Sequence, residues 1–220
     1  DEALSDEMQA CLFEKGFCVL RACSRPDESR AALKAIRRLE EQGKLQRLPE
    51  EVEEGYLGLG AKGKVVWMGA SEGQELESDQ ALGKADDLLS KLASMVQAGC
   101  PNLLGKEIDE RSPSLISLSL REEDEAEYVP PMADDVTLGA FLGMWRRTCV
   151  KAVSFFGPGK ASVTLESTGA GAAEALPAKQ ESVQLEAAAG VTIVYLPGAF
   201  SYALSVEEGE VLSMSSAFLE

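Results

Sequence analysis

Residues Ser182 to Leu219 contain three pieces: Ser182-Val-Gln-Leu-Glu186, Ala189-Gly-Val-Thr-Ile-Val-Tyr-Leu-Pro-Gly198 and Glu210-Val-Leu-Ser-Met-Ser-Ser-Ala-Phe-Leu219. Each either alternates apolar with polar residues or is a short β-branched run, and each is bounded by glycine, proline or acidic turn residues. This pattern predicts strands, set out as a meander that closes an antiparallel sheet. Moving toward the N-terminus, Ser162–Glu166, Cys149–Phe156 and Leu115–Leu120 read as further strands. The alanine- and glycine-rich stretch 167–179 reads as a loop, and the acidic run 122–127 as a solvated one.

The first hundred residues have a different rhythm. Leu4, Met8, Cys11 and Leu12 recur at helical spacing before Gly16, and Phe17–Leu20 follows as a strand. Ser24 and Pro26 open a second helix whose apolar face is Leu33, Ile36 and Leu39, and Gly43 ends it. Residues 44–63 read as irregular and Lys64–Met68 as a strand. A strong helix over 80–98 carries Leu82, Ala85, Leu88, Leu89, Leu92, Met95 and Val96 on one stripe, with Gly99 and Pro101 beyond it. A shorter helix is expected over 136–147. Helices first and strands second point to an α+β fold, its antiparallel sheet closed into a sandwich or barrel with the N-terminal helices on the outside. One domain over 1–220 is expected, with 1–100 a helical support containing two strands and 101–220 the sheet core.

Composition narrows function by exclusion. A formal net charge of −16 repels nucleic acid and anionic lipid. It suits a basic protein partner, and it equally serves plain solubility. No run approaches the roughly 20 apolar residues of a membrane span. Five cysteines, an odd number without a CxxC pair, read as reduced thiols. The chain has no histidine, which removes the commonest general base and the commonest transition-metal ligand.

The order of these pieces resembles the prolyl-4-hydroxylase-like branch of the iron(II)/2-oxoglutarate dioxygenases. Leu12-Phe-Glu-Lys-Gly-Phe-Cys-Val-Leu20 is similar to that family's helix-Gly-strand opening, and Lys62-Gly-Lys-Val-Val-Trp-Met68 to the strand before its covering helix. Tyr128-Val-Pro-Pro-Met-Ala-Asp134 falls where the family carries His-x-Asp, and Val191–Phe218 resembles its last strands. The resemblance implies a double-stranded β-helix, or jelly roll. It also implies a metal site at Pro131, Ala133 and Tyr202 and an oxoglutarate-binding residue at Val211, beside Glu210. None of these residue types fits its role. Such a site takes two imidazoles and a carboxylate, and proline has no side-chain donor at all.

Other patterns have plain readings. Gly55–Gly63 is glycine-rich but lacks the GK[ST] ending of a phosphate loop, and reads as a connection. Asp134, Asp135 and the 122–127 acids match no calcium loop. Ser213, Ser215 and Ser216 read as a sheet face. Trp67, Tyr195 and Tyr202, with Trp145 and Phe200, are candidates to line the barrel interior.

The leading expectation is therefore a pseudoenzyme: a non-catalytic structural or interaction subunit with no catalytic residues, metal or cofactor, working among other protein subunits. Two alternatives stay open. One is a small-molecule-binding module using the vacated barrel. The other is a divergent hydroxylase-like oxygenase with substitute ligands. A soluble chain is expected. The start at Asp1 fits a processed organellar (plastid) protein, peripheral to a membrane complex such as a photosynthetic one, although no motif supports that guess.

Overall fold

The computed structural model describes residues 2–21, 26–69, 80–169 and 181–220. The acidic loop 71–79, Cys23, Ser24 and the loop 167–179 from residue 170 on lie outside them. The described chain is an α+β double-stranded β-helix: a nine-stranded, antiparallel β-system with helices on its outer face.

The helices are α1 (Glu2–Lys15), α2 (Pro26–Glu41), α3 (Glu50–Leu57), α4 (Gln80–Leu104) and α5 (Asp135–Arg147). The strands are β1 (Phe17–Arg21), β2 (Gln46–Arg47), β3 (Gly63–Trp67), β4 (Glu110–Arg111), β5 (Leu115–Ser119), β6 (Thr148–Ser167), β7 (Ser182–Glu186), β8 (Val191–Tyr195) and β9 (Phe200–Leu219). The main order is β1-β8-β6-β9-β5-β3-β2, with β7 beside β6 and β4 beside β9.

The closing strands are not a meander. β7 pairs with β6, β8 lies between β1 and β6, and β9 runs along β6 from Ser167↔Phe200 to Thr148↔Leu219. Hydrophobic alternation marks strands but says nothing about which neighbour each will take. β6 and β9 are each 20 residues long and cross the bend together. Register shifts fall at Phe155/Gly157, Pro158/Lys160 and Lys160/Ala161, where bulges let a strand leave one sheet and enter another. Gly159 makes the approach possible, since a Cβ there would sit 2.6 Å from the Glu210 carbonyl oxygen.

Pleating gives the sheet two buried faces. On the outer face, Val66, Ile116, Leu118, Val150, Ala152, Val194, Leu212, Met214 and Phe218 pack against Met8 and Leu12 of α1, Ile36 and Leu39 of α2, and Leu82, Leu89, Leu92 and Val96 of α4. Burying each such leucine contributes roughly 1.5–3 kcal/mol. On the inner face, Val153, Phe155, Ile193, Tyr195 and Val211 meet Val163, Leu165, Phe200 and Tyr202 across the barrel. No helix among the described residues is long and apolar enough to cross a membrane.

The expectation of irregular chain over 44–63 is corrected. Pro49 and three acids of the first turn start α3, and Gly58 stops it at φ +108°. The 122–127 loop is likewise more than solvated surface, since Asp124 forms ion pairs with Lys64 and Arg121.

Candidate functional site

The site begins with one strand. In Cys149-Val150-Lys151-Ala152-Val153 of β6, Val150 and Ala152 join the outer core while Val153 joins the inner one. Alternation therefore turns Lys151 inward. It stands in register with Tyr195 of β8 and Ala217 of β9. Its Nζ donates to the Gly55 carbonyl at 3.1 Å and the Tyr56 carbonyl at 2.8 Å, at the end of α3. No carboxylate pairs with it among the described residues, and burial alone pushes its pKa down from 10.5 to about 8.

Lys151 opens onto a chamber of about 540 Å3 between the barrel and the helices α3 and α5. Tyr195, Tyr202, Phe200, Trp145 and Phe141 bring aromatic rings to its wall, Thr148, Thr168 and Ser201 add hydroxyls, and Glu51 and Glu54 of α3 also line it. The Tyr195 and Tyr202 rings stack with centroids 5.4 Å apart and planes 12° from parallel. Burial raises both phenol pKa values above the usual range, with each ring held protonated at neutral pH. An aromatic run of Trp67, Tyr56, Phe141 and Trp145 braces α3 against α5, with neighbouring centroids 5.1–5.7 Å apart.

Gly58 fixes the back of this wall. A Cβ there would lie 2.4 Å from the Tyr202 ring, and its positive φ suits glycine. The next amide, Leu59 N–H, donates to the Tyr202 carbonyl at 2.8 Å. Tyr202 also lines a second cavity of about 510 Å3, where Ser117, Ser119, Ser213 and Ser215 face inward. Ser216 points the other way, its hydroxyl donating to the Ser112 carbonyl.

The residues expected at the family's metal site divide between two places. Tyr202 and Val211 line the inner cavities. Pro131 lies in a separate groove of about 350 Å3 with Trp67, Arg47 and Asp134. Ala133 follows it in the same segment, before α5. Trp67 is half-buried against Tyr56, while Tyr195 and Tyr202 face the chamber. Asp134 caps α5 by accepting from Thr137 N–H at 2.7 Å, which holds its carboxyl below the usual range. Glu210 points away from the chamber, toward Arg37 of α2. The donor set lining the chamber is an amine, two phenols, three aliphatic hydroxyls and two α3 carboxylates. It does not fit a non-haem iron ion, which needs imidazole nitrogen.

Lys151 is the residue that sequence reading missed. Its signal was present: a lysine at the centre of Val150-Lys151-Ala152-Val153, a run otherwise apolar enough for a central strand.

The fold has known counterparts. No protein-family model matches the chain, and neither does any curated protein. Among solved structures, a prolyl-4-hydroxylase from Pseudomonas putida is similar over 99% of this chain and 100% of its own, at 16% identity and a TM-score of 0.59. A Trichoplax adhaerens prolyl hydroxylase, solved with a peptide of the hypoxia inducible factor oxygen degradation domain, matches over 99% and 90%, at 13% identity and a TM-score of 0.65. A non-haem α-ketoglutarate-dependent epimerase of nogalamycin biosynthesis matches over 100% and 84%, at 14% identity and a TM-score of 0.55. These structural neighbours of the chain are iron(II)/2-oxoglutarate oxygenases. The expectation of a non-enzyme is corrected on this ground: the three proteins just named, which share the fold along almost the whole chain, are two hydroxylases and an epimerase, all of them catalysts.

Proposed function

We propose that this chain is a divergent enzyme on the hydroxylase jelly roll that takes a small, uncharged and largely apolar molecule into the Lys151 chamber. The observation that carries this reading is the lysine itself, inward-facing, bonded only to carbonyl oxygens and open to about 540 Å3 of space lined in part by aromatic rings. That volume lies within the usual range of small-molecule sites. The charge around it disfavours anions, because Glu51 and Glu54 line the chamber and the chain carries −16 overall. Lys151 and the two phenols are the polar anchors that would orient a ligand carrying one or two oxygen atoms.

Matched probes test this. Benzyl alcohol and benzoate have the same ring and differ in charge, and ligand-observed NMR reads both. Benzyl alcohol is expected to bind and to lose binding when Ser201→Trp fills the chamber. Benzoate binding more tightly, or benzyl alcohol binding unchanged in Ser201→Trp, would remove the reading.

A further inference from the structure

We propose that Lys151 is a nucleophile that forms an imine with the carbonyl group of an aldehyde or ketone held in the chamber. The inference rests on the chamber being a small-molecule site, and it deepens that reading by naming the ligand's reactive group. Three observations carry it.

The first is hydrogen-bond arithmetic. A neutral amine has two N–H donors and one lone pair; an ammonium has three N–H donors. Nζ of Lys151 has two acceptors, the carbonyls of Gly55 and Tyr56. Those two contacts satisfy the neutral amine and leave its lone pair unused. An ammonium would be left with one proton lacking a protein partner.

The second is the company Lys151 keeps. The buried cations Arg47 and Lys64 each face carboxylates: Arg47 pairs with Glu53, and Lys64 with Glu40 and Asp124. Lys151 faces none. The ionisable groups lining its chamber are the Tyr195 and Tyr202 phenols from β8 and β9, and Glu51 and Glu54 from α3. Neither β6 nor α5 brings an acid to that wall. Desolvation without a counter-charge lowers a lysine's pKa, here to about 8 from 10.5, which enlarges the minor share of neutral, nucleophilic amine at neutral pH.

The third is the supply of protons. Imine formation joins nitrogen to the carbonyl carbon and then expels the carbonyl oxygen as water. The amine lone pair forms the new C–N bond, the C=O pair moves to oxygen, and two protons from nitrogen leave with that oxygen. No oxidant or reductant is consumed. The departing oxygen takes its protons from nitrogen and needs a hydrogen-bond donor to hold it meanwhile, and the Tyr195 and Tyr202 hydroxyls line the same space.

The test uses the full chain, with benzaldehyde as reactive probe and benzyl alcohol as its carbonyl-free analogue. Protein is incubated with benzaldehyde and cyanoborohydride near pH 7, then digested, and the benzyl-modified lysines are located by mass spectrometry. Lys151 is expected to be modified at least tenfold faster than the exposed Lys15, Lys34 and Lys91, with Lys64 unmodified. Lys151→Arg keeps a cation and N–H donors but forms no imine, so it should lose the adduct while still folding. If benzyl alcohol binds and Lys151 reacts no faster than the surface lysines, the imine is overturned and the chamber stands. If benzyl alcohol does not bind and no lysine is preferred, both readings fall.

Discussion

Lys64 and Lys151 stand on opposite faces of one sheet, Lys64 buried and Lys151 half-buried, and their surroundings are unlike. Lys64 faces outward beneath α2, with its side chain 1% exposed. It closes a ring of charges in which Lys64 meets Glu40, Glu40 meets Arg37, Arg37 meets Glu210, Glu210 faces Arg121, Arg121 meets Asp124, and Asp124 returns to Lys64. The Tyr128 ring lies 4.6 Å from its Nζ and adds a cation–π contact. Lys151 faces inward with two carbonyls and no acid. The ring neutralises its lysine, whereas the chamber leaves its lysine chemically available. The same residue type in the same sheet is thus structural on one face and reactive on the other, and counter-charge is what separates the two.

The sharpest way to break this comparison is Lys64→Met. It leaves Glu40, Asp124 and Glu210 with fewer cations than acids in a buried site, and is expected to cost about 3–5 kcal/mol. Chemical denaturation would read this, and a loss under about 1 kcal/mol would mean that the ring is not holding α2 to the sheet. Gly58→Ala comes next. It places a Cβ against Tyr202 at an unfavourable φ, with an expected cost of about 2 kcal/mol or more.

The pH dependence of Lys151 follows. Its folded pKa is depressed to about 8 from 10.5, so between those values the unfolded chain holds more protons. Stability from this group therefore rises as pH climbs through that window. Comparison with Lys151→Met across the same window should show the wild type gaining about 2 kcal/mol relative to the variant. At neutral pH the two should differ by less than about 1 kcal/mol, because removal of a desolvated cation offsets the two lost hydrogen bonds.

The ring behaves oppositely in acid. Burial works against ionisation of Glu40, but hydrogen bonds from Lys64 and Arg37 win and hold its carboxyl below 4.5; Arg121 and Lys64 do the same for Asp124 below 3.8. Their stabilisation is present above those ordinary values and is lost as pH falls through the folded ones. Lys64→Met should flatten that acid limb, and Lys151→Met should leave it unchanged. The smallest effect expected is from Tyr202→Phe, which keeps the ring stack and should shift stability by about 0.5 kcal/mol while slowing the reaction of Lys151 with benzaldehyde.

Much of the fold is legible in the sequence. Leu82, Leu89, Leu92 and Val96 announce α4, and Gly16 and Gly43 stop α1 and α2, because spacing and backbone freedom act within a few residues. The strands over 115–120 and 149–156 were readable for the same reason. The helix α3 was not, since Glu50-Glu-Val-Glu-Glu-Gly-Tyr-Leu57 is short, acidic and carries a glycine. Its place comes from contacts far along the chain: Lys151 on its last carbonyls and Phe141 beside Tyr56.

By itself the sequence determined the α+β class, with an antiparallel sheet closed into a sandwich or barrel, and the absence of any imidazole. Both are properties of local pattern or simple content. The neighbours of β7, β8 and β9, the isolation of Lys151 and the enclosure of Lys64 by three acids and two arginines were decided only in three dimensions. Strand pairing and charge compensation join residues scores of positions apart, and a one-dimensional pattern carries no information about which distant group will supply the missing charge.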